Sequence, residues 1–175
     1  MKKTTDRILT AIFCDDIRHE MGNKMSFMGC YQSELFVPAA PIGLAKLCIF
    51  ATAITPVARP FKSLTFRVIM DEQTELARLD IPSDGLLSTP KIQDETVTRL
   101  SISTALIFSP FMIEKPTSLR LMADTDEGEI VGPRLLIKVN PSGETEALGP
   151  IPELKPAERR VVVKKSAVKK ASTKP

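Results

Sequence analysis

The sequence predicts a mainly β protein, folded as an antiparallel β-sandwich of about seven to nine strands, immunoglobulin-like or C2-like, with a disordered C-terminal tail. Three observations predict this architecture: apolar and polar residues alternate in short runs, turn-forming residues separate the runs, and the composition becomes basic near the C-terminus. The 175 residues, 43% of them hydrophobic, are enough for one domain with its own core. We place the sandwich at residues 6–148 and the tail at residues 149–175.

The alternation has a period of two, which is typical of half-buried strands. It is clearest in residues 62–71, where Leu64, Phe66 and Val68 lie on one face and Arg67 lies on the other. The same alternation recurs in residues 98–106, 118–123 and 134–139.

Turn-forming residues separate these runs. They occur at residues 71–72, 82–85, 109–110, 126–128, 132–133 and 141–143. Two further strands are predicted at residues 34–37 and 45–54. The link between them contains Pro38 and Pro41, so we expect it at an edge or in a loop, because proline cannot extend a central strand.

The N-terminal region is predicted to form a hairpin. Residues 8–21 and 24–31 flank Gly22-Asn23, and a two-residue loop with glycine first is typical of a type II′ turn. That turn would place Glu20 opposite Met25.

The predicted hairpin carries the densest polar cluster of the chain: Asp15, Asp16, Arg18, His19 and Glu20. Carboxylates and an imidazole suit a divalent transition metal. On an extended strand, however, Asp15 and His19 point to one face and Asp16 and Glu20 to the other, so the four cannot all ligate one ion. The favoured interpretation is structural: Asp16 and Arg18 form an ion pair that orders the hairpin. A metal or ligand site remains the alternative, and catalysis is the third.

Other signals of enzymatic chemistry are weak. His19 is the single histidine, and no dinucleotide-binding, phosphate-binding-loop or zinc-protease motif occurs. Cys14, Cys30 and Cys48 have no metal-ligand spacing, so we interpret them as reduced core thiols. We therefore predict no enzyme activity, no cofactor and no bound metal.

The charge distribution divides the chain. Residues 153–175 carry a net charge of +6, whereas the rest carries −3. The tail also lacks aromatic residues and an apolar face that could be buried. Basic extensions of this kind bind polyanions without sequence readout. The candidate contacts in the tail are Arg159, Arg160, Lys164, Lys165, Lys169 and Lys170.

One segment supports a family resemblance. Phe13-Cys-Asp-Asp-Ile-Arg-His-Glu20, followed by Gly22-Asn-Lys24 and Gly29-Cys-Tyr31, resembles the N-terminal motif of a family of bacterial and phage proteins classed as a domain of unknown function. The resemblance extends over about residues 8–140. Two features depart from the family pattern: Gly22-Asn23 stands in place of Gly-Gly, and the basic tail is additional. The resemblance implies the domain bounds and a bacterial or phage origin, and it implies no activity.

These observations predict a non-enzymatic binding or assembly module, phage-associated if the chain is phage-encoded. Its partner would be another protein or a second copy of the chain. The alternatives are a metal- or ligand-binding protein that uses the polar cluster, and a nucleic-acid accessory protein that uses the tail. The longest apolar stretch, residues 47–54, is too short to span a bilayer. We expect a cytoplasmic location, or a virion-associated one for a phage protein, and no membrane contact.

The basic tail gives a first testable prediction. Any affinity for duplex DNA should be lost on deletion of residues 153–175, because basic side chains are concentrated there without acidic neighbours. In the full chain, the logarithm of the affinity should fall with the logarithm of the salt concentration, with a slope of about −0.9 per phosphate contact. Fluorescence anisotropy with labelled DNA measures both effects. Undiminished affinity after truncation would contradict the prediction.

Overall fold

The structure, a computed structural model, describes residues 6–87 and 96–140. The described residues form twelve strands and one short helix: β1 (Ile8–Cys14), β2 (Asp16–Glu20), β3 (Lys24–Met28), β4 (Glu34–Val37), β5 (Ile42–Leu44), β6 (Leu47–Pro56), β7 (Leu64–Met70), β8 (Thr74–Asp80), α1 (Ser83–Leu87), β9 (Arg99–Phe108), β10 (Phe111–Ile113), β11 (Thr117–Thr125) and β12 (Gly128–Val139). The predicted mainly β class is confirmed.

Two sheets enclose the core. One has three antiparallel strands in the order β1-β6-β9, and the other has five in the order β4-β12-β11-β7-β8. Every pair in these sheets is antiparallel except β4 and β12, which run parallel. Buried side chains from both sheets form one cluster, which includes Ile49, Ala51, Phe66, Leu119 and Leu135. This sandwich-like arrangement confirms the predicted architecture.

The predicted faces of the long strands are confirmed. In β7, Leu64, Phe66 and Val68 are buried and alternate with partly exposed residues. In β9, Ser101 and Ser103 are exposed as expected.

The number of strands is larger than the predicted seven to nine. Two of the additional strands, β5 and β10, have three residues each and pair with each other in a small sheet, so neither is long enough to show a period. A third, β8, lies at the edge of the five-stranded sheet, and its side chains are exposed or partly exposed on both faces. Strands without a buried face carry no alternation to recognise.

The N-terminal hairpin differs from its predicted register by one residue. Glu20 lies opposite Lys24 rather than Met25, so the loop has three residues instead of two. Both Gly22 and Asn23 have positive φ, at 77° and 57°, whereas a type II′ turn needs a positive φ only at its first central residue. The predicted turn type is therefore wrong. The residues that were expected to share a face still do, because they are two apart in the strand.

Two predicted turns have other structures. The one at residues 132–133 lies inside β12, where Leu121 faces both Gly132 and Pro133 in a β-bulge. A Cβ on Gly132 would lie 2.7 Å from the carbonyl oxygen of Leu121 and 2.8 Å from Leu9 Cδ2, so the close approach requires glycine. The turn predicted at residues 82–85 overlaps α1. The turns at residues 71–72, 109–110 and 126–128 are confirmed.

Several predictions concern residues outside the described part of the chain. They are the turn at residues 141–143, the domain boundary near residue 149 and the tail. Within the described residues, no helix has the length and apolar character needed to cross a membrane.

Among the described residues, Arg7 is the side chain with the most polar contacts. It precedes β1 and was not singled out from the sequence. Its side chain is 1% exposed. The guanidinium donates to Thr125 Oγ1 at 2.9 Å and to Asp126 Oδ1 at 3.1 Å, both near the hairpin turn that joins β11 to β12. Its remaining contacts are with Thr55 Oγ1, the carbonyl oxygens of Arg59 and Pro60, Glu127 Oε1 and the ring face of Phe61.

These contacts join parts of the chain that lie far apart in the sequence. The guanidinium links the start of β1, the end of β6, the segment after β6 and the β11–β12 turn. Burial would by itself raise the pKa of Asp126, but hydrogen bonds from Arg7 and from the backbone of Lys62 hold that pKa below its usual value. The ion pair is therefore formed at neutral pH and ties the two sheets together at one end of the sandwich.

We expect Arg7→Ala to lower the free energy of unfolding by about 2–3 kcal/mol, because it removes an almost fully buried guanidinium together with its hydrogen bonds to Thr125, Asp126 and two carbonyl oxygens. The matched control is Arg78→Ala, since Arg78 is half exposed and its ion pair with Asp80 lies on the surface. The control should cost less than about 1 kcal/mol. Urea denaturation measures both variants, and equal losses would contradict the assigned role of Arg7.

Candidate functional site

The predicted polar cluster lies on β2 and on Asp15, the residue just before it. Asp15 belongs to neither strand, so it separates β1 from β2. The predicted ion pair is confirmed: Arg18 Nε lies 3.3 Å from Asp16 Oδ2, with the Arg18 side chain largely exposed. A second partner was missed from the sequence. Lys46, just before β6, donates to Asp16 Oδ1 at 2.6 Å. Hydrogen bonds from Lys46 and then Arg18 hold the pKa of Asp16 below its usual value.

Asp15 has a different environment. Its carboxylate accepts a hydrogen bond from the Tyr31 hydroxyl, and its backbone N–H donates to the carbonyl oxygen of Met28 at 2.9 Å. The Tyr31 N–H donates in turn to the carbonyl oxygen of Phe13 at 2.8 Å. Burial, followed by the hydrogen bond to Asp15, raises the pKa of Tyr31. Asp15 and Tyr31 thus close the end of the hairpin that lies next to β1.

Gly29 is part of the same closure. Its φ is +63°, which favours glycine, and a Cβ at this position would lie 2.5 Å from Asp15 Cγ. Asp15, Gly29 and Tyr31, three residues of the N-terminal motif, therefore have structural roles. They form a compact corner between β1 and the hairpin.

The remaining cluster residues are arranged separately. Glu20 accepts a hydrogen bond from Ser26 Oγ across the hairpin, and His19 is exposed opposite Met25. The residues proposed as metal ligands are therefore not brought together, since Asp15, Asp16 and Glu20 each have a different partner. Nowhere in residues 6–87 and 96–140 do three or more His, Cys, Asp or Glu side chains form a group able to hold a metal.

The hairpin lies over the outer face of the β1-β6-β9 sheet. Phe27 of β3 packs against Phe50 of β6, with ring centroids 5.0 Å apart. Cys14 and Cys48 lie opposite each other on β1 and β6 and are buried, as predicted. Burial, followed by the charge of Cys48, raises the pKa of Cys14 to about 11, so this thiol is unreactive at neutral pH. The prediction of a core thiol is wrong for Cys30, which is exposed.

A second candidate is a depression of about 620 Å³ on the outer face of the five-stranded sheet. Arg67 lines this depression. Its Nε lies 2.8 Å from Asp124 Oδ2, and its Nη2 donates to Glu129 Oε2 at 2.6 Å. These contacts raise the pKa of Arg67, chiefly through the hydrogen bond with Asp124. Arg120 lies 3.2 Å from Glu72 at the same depression. These ion pairs connect β7, β11 and β12.

The third candidate is apolar. The outer face of the β1-β6-β9 sheet carries aliphatic side chains that the hairpin does not fully cover, and Ile107 is 55% exposed and Ile8 44% exposed. We call this surface the outer apolar face and define it by Ile8, Ile12, Phe50, Ile54 and Ile107. Sequence reasoning missed it, because these residues alternate with the true core residues in strands that are apolar on both sides.

Comparison with protein-family models finds no match, and comparison with curated proteins finds none either.

The corner formed by Asp15 and Gly29 gives a testable prediction. Gly22→Ala should lower the free energy of unfolding by about 1–2 kcal/mol, because alanine at positive φ is strained, although its Cβ would meet nothing nearer than Lys24 Cε at 3.7 Å. Gly29→Ala should cost more, since the new methyl group also overlaps the Asp15 carboxylate. Chemical denaturation measures the free energy of unfolding of both variants. Adding Asp15→Ala to Gly29→Ala should recover part of the stability that Gly29→Ala loses. Equal losses at the two glycines would contradict the described packing.

Proposed function

We propose that the protein is a non-enzymatic binding or assembly module that contacts a protein partner through the outer apolar face. The observation that carries the proposal is the exposure of aliphatic side chains on this sheet surface. Exposed apolar surface that is grouped rather than scattered is typical of protein interaction sites.

The strand register arranges this face in rows. Ile12, Phe50 and Ala105 form one row, and Ile8, Ile54 and Ser101 form another. Between them lies a row of hydroxyl side chains, Thr10, Thr52 and Ser103, in which Thr52 and Ser103 are hydrogen-bonded at 2.9 Å. Apolar rows with a few hydroxyl groups and no charge resemble the centre of a protein interface, which is depleted in charged residues.

The other candidate surfaces support a contact less well. On the hairpin, Asp16 is paired with Lys46 and Arg18, so a partner would have to replace existing ion pairs. On the five-stranded sheet, the acidic groups around Arg67 are paired with it. The contacts of Asp15, Asp16 and Glu20 also do not favour the alternative of a metal or ligand site in the polar cluster.

A second candidate function is a nucleic-acid accessory role for the tail. The charge difference between residues 153–175 and the rest of the chain favours it. The salt-dependent DNA binding described above tests this role independently of the apolar face. The cytoplasmic or virion-associated location remains a prediction from the sequence.

The proposed function is tested by placing the photo-crosslinker benzoylphenylalanine at Ile107 in cells that carry the natural gene. Val131 is the matched control, because it is 61% exposed but lies on the opposite sheet. We expect one discrete cross-linked adduct from position 107 and none from position 131, with mass spectrometry identifying the partner. Equal labelling from the two positions, or no adduct from either, would overturn the proposal.

A further inference from the structure

β9 is an edge strand. It spans ten residues and pairs with β6 in the described part of the chain. An edge strand presents a row of backbone donors and acceptors that can pair with another strand. The length of β9 makes it a larger template than the other outer strands of the two sheets, β1, β4 and β8.

The inward-facing side chains of β9 are more exposed than those of the neighbouring strand, β6. Inward-facing residues of β6, such as Ile49 and Ala51, are fully buried, whereas Ile102 and Leu106 of β9 remain partly exposed. Another strand beside β9 would continue the sheet and cover these side chains.

Charge distinguishes this edge from that of β8, whereas β1, the opposite edge of the same sheet, is also uncharged but is three residues shorter. β8 carries Glu75, Arg78 and Asp80, and charged residues of this kind protect edges from pairing. In β9, residues 100–108 include no charged side chain. Its one charge, Arg99, donates to the carbonyl oxygen of Asp6 at 2.8 Å, on the far side of β6. That guanidinium is therefore turned away from the unpaired edge.

We infer that β9 pairs antiparallel with β9 of a second copy of this chain, joining two three-stranded sheets into one six-stranded sheet about a two-fold axis. This inference rests on the proposed function and names the partner. The sequence of β9 is suited to antiparallel pairing with a second copy of itself. A register centred on Ser103 places Ser101 opposite Ala105 of the second copy and Leu100 opposite Leu106, with no charge opposite a like charge. Pairing about a two-fold axis uses the β9 edge of each copy, so this interface is closed once two chains have paired.

The experiment measures the mass of the full chain by sedimentation over a range of concentrations, with Ser103→Lys as the disrupting variant. Thr10→Lys is the matched control, because Thr10 lies in the same row of the same face but on β1, at the opposite edge. We expect the wild type and Thr10→Lys to reach twice the chain mass of 19.3 kDa. Ser103→Lys should weaken the dimer by on the order of tenfold or more, because two lysines then meet at the axis.

Mixing Ser103→Lys with Ser103→Glu should restore a dimer, which separates charge repulsion from a folding defect. A wild-type chain that stays monomeric overturns the inference, as does equal weakening by Thr10→Lys. Slow amide exchange of β9 in such a monomer would show that its own chain covers the edge. A monomer that still gives an Ile107 adduct with another protein would leave the proposed function standing. A β9 dimer without any Ile107 adduct would overturn the proposed function alone.

Discussion

The buried guanidinium of Arg7 is the interaction on which the assembly of the two sheets depends. The apolar contacts between the two sheets supply attraction, but the hydrophobic effect itself has no direction. Arg7 adds directional bonds to Thr55 on the three-stranded sheet and to Thr125 and Asp126 at the end of the five-stranded one. Because its acceptors come from distant parts of the chain, they are brought together only when the fold is complete.

The same principle, charged groups paired within the fold, explains the polar N-terminal motif. Asp16 holds the hairpin to the segment before β6 through Lys46, and Asp15 closes the corner over Gly29 and Tyr31. Residues that look like a site in the sequence therefore act as connections in the structure. The surfaces that we propose for partners are the outer apolar face and the edge of β9, where few polar groups need to be displaced.

The sequence predicted the features that repeat locally. The alternation in β7 was recognisable because one face of the strand is buried, and the Asp16–Arg18 pair followed from residues two apart on one strand. Contacts between distant segments were not predictable, and Lys46 and Arg7 are the main examples. The hairpin register was missed because a Gly-Asn pair suits more than one turn, and the left-handed φ of Asn23 decides between them.

Native-state amide hydrogen exchange of the full chain tests the central role of Arg7 most directly. If Arg7 joins the two sheets into one cooperative unit, the slowest amides of β1, β6, β11 and β12 should exchange with the same free energy, through global unfolding. Amides of β1 that exchange with a distinctly lower free energy than those of β11 and β12 would contradict the account, because β1 would then detach while the five-stranded sheet stays folded.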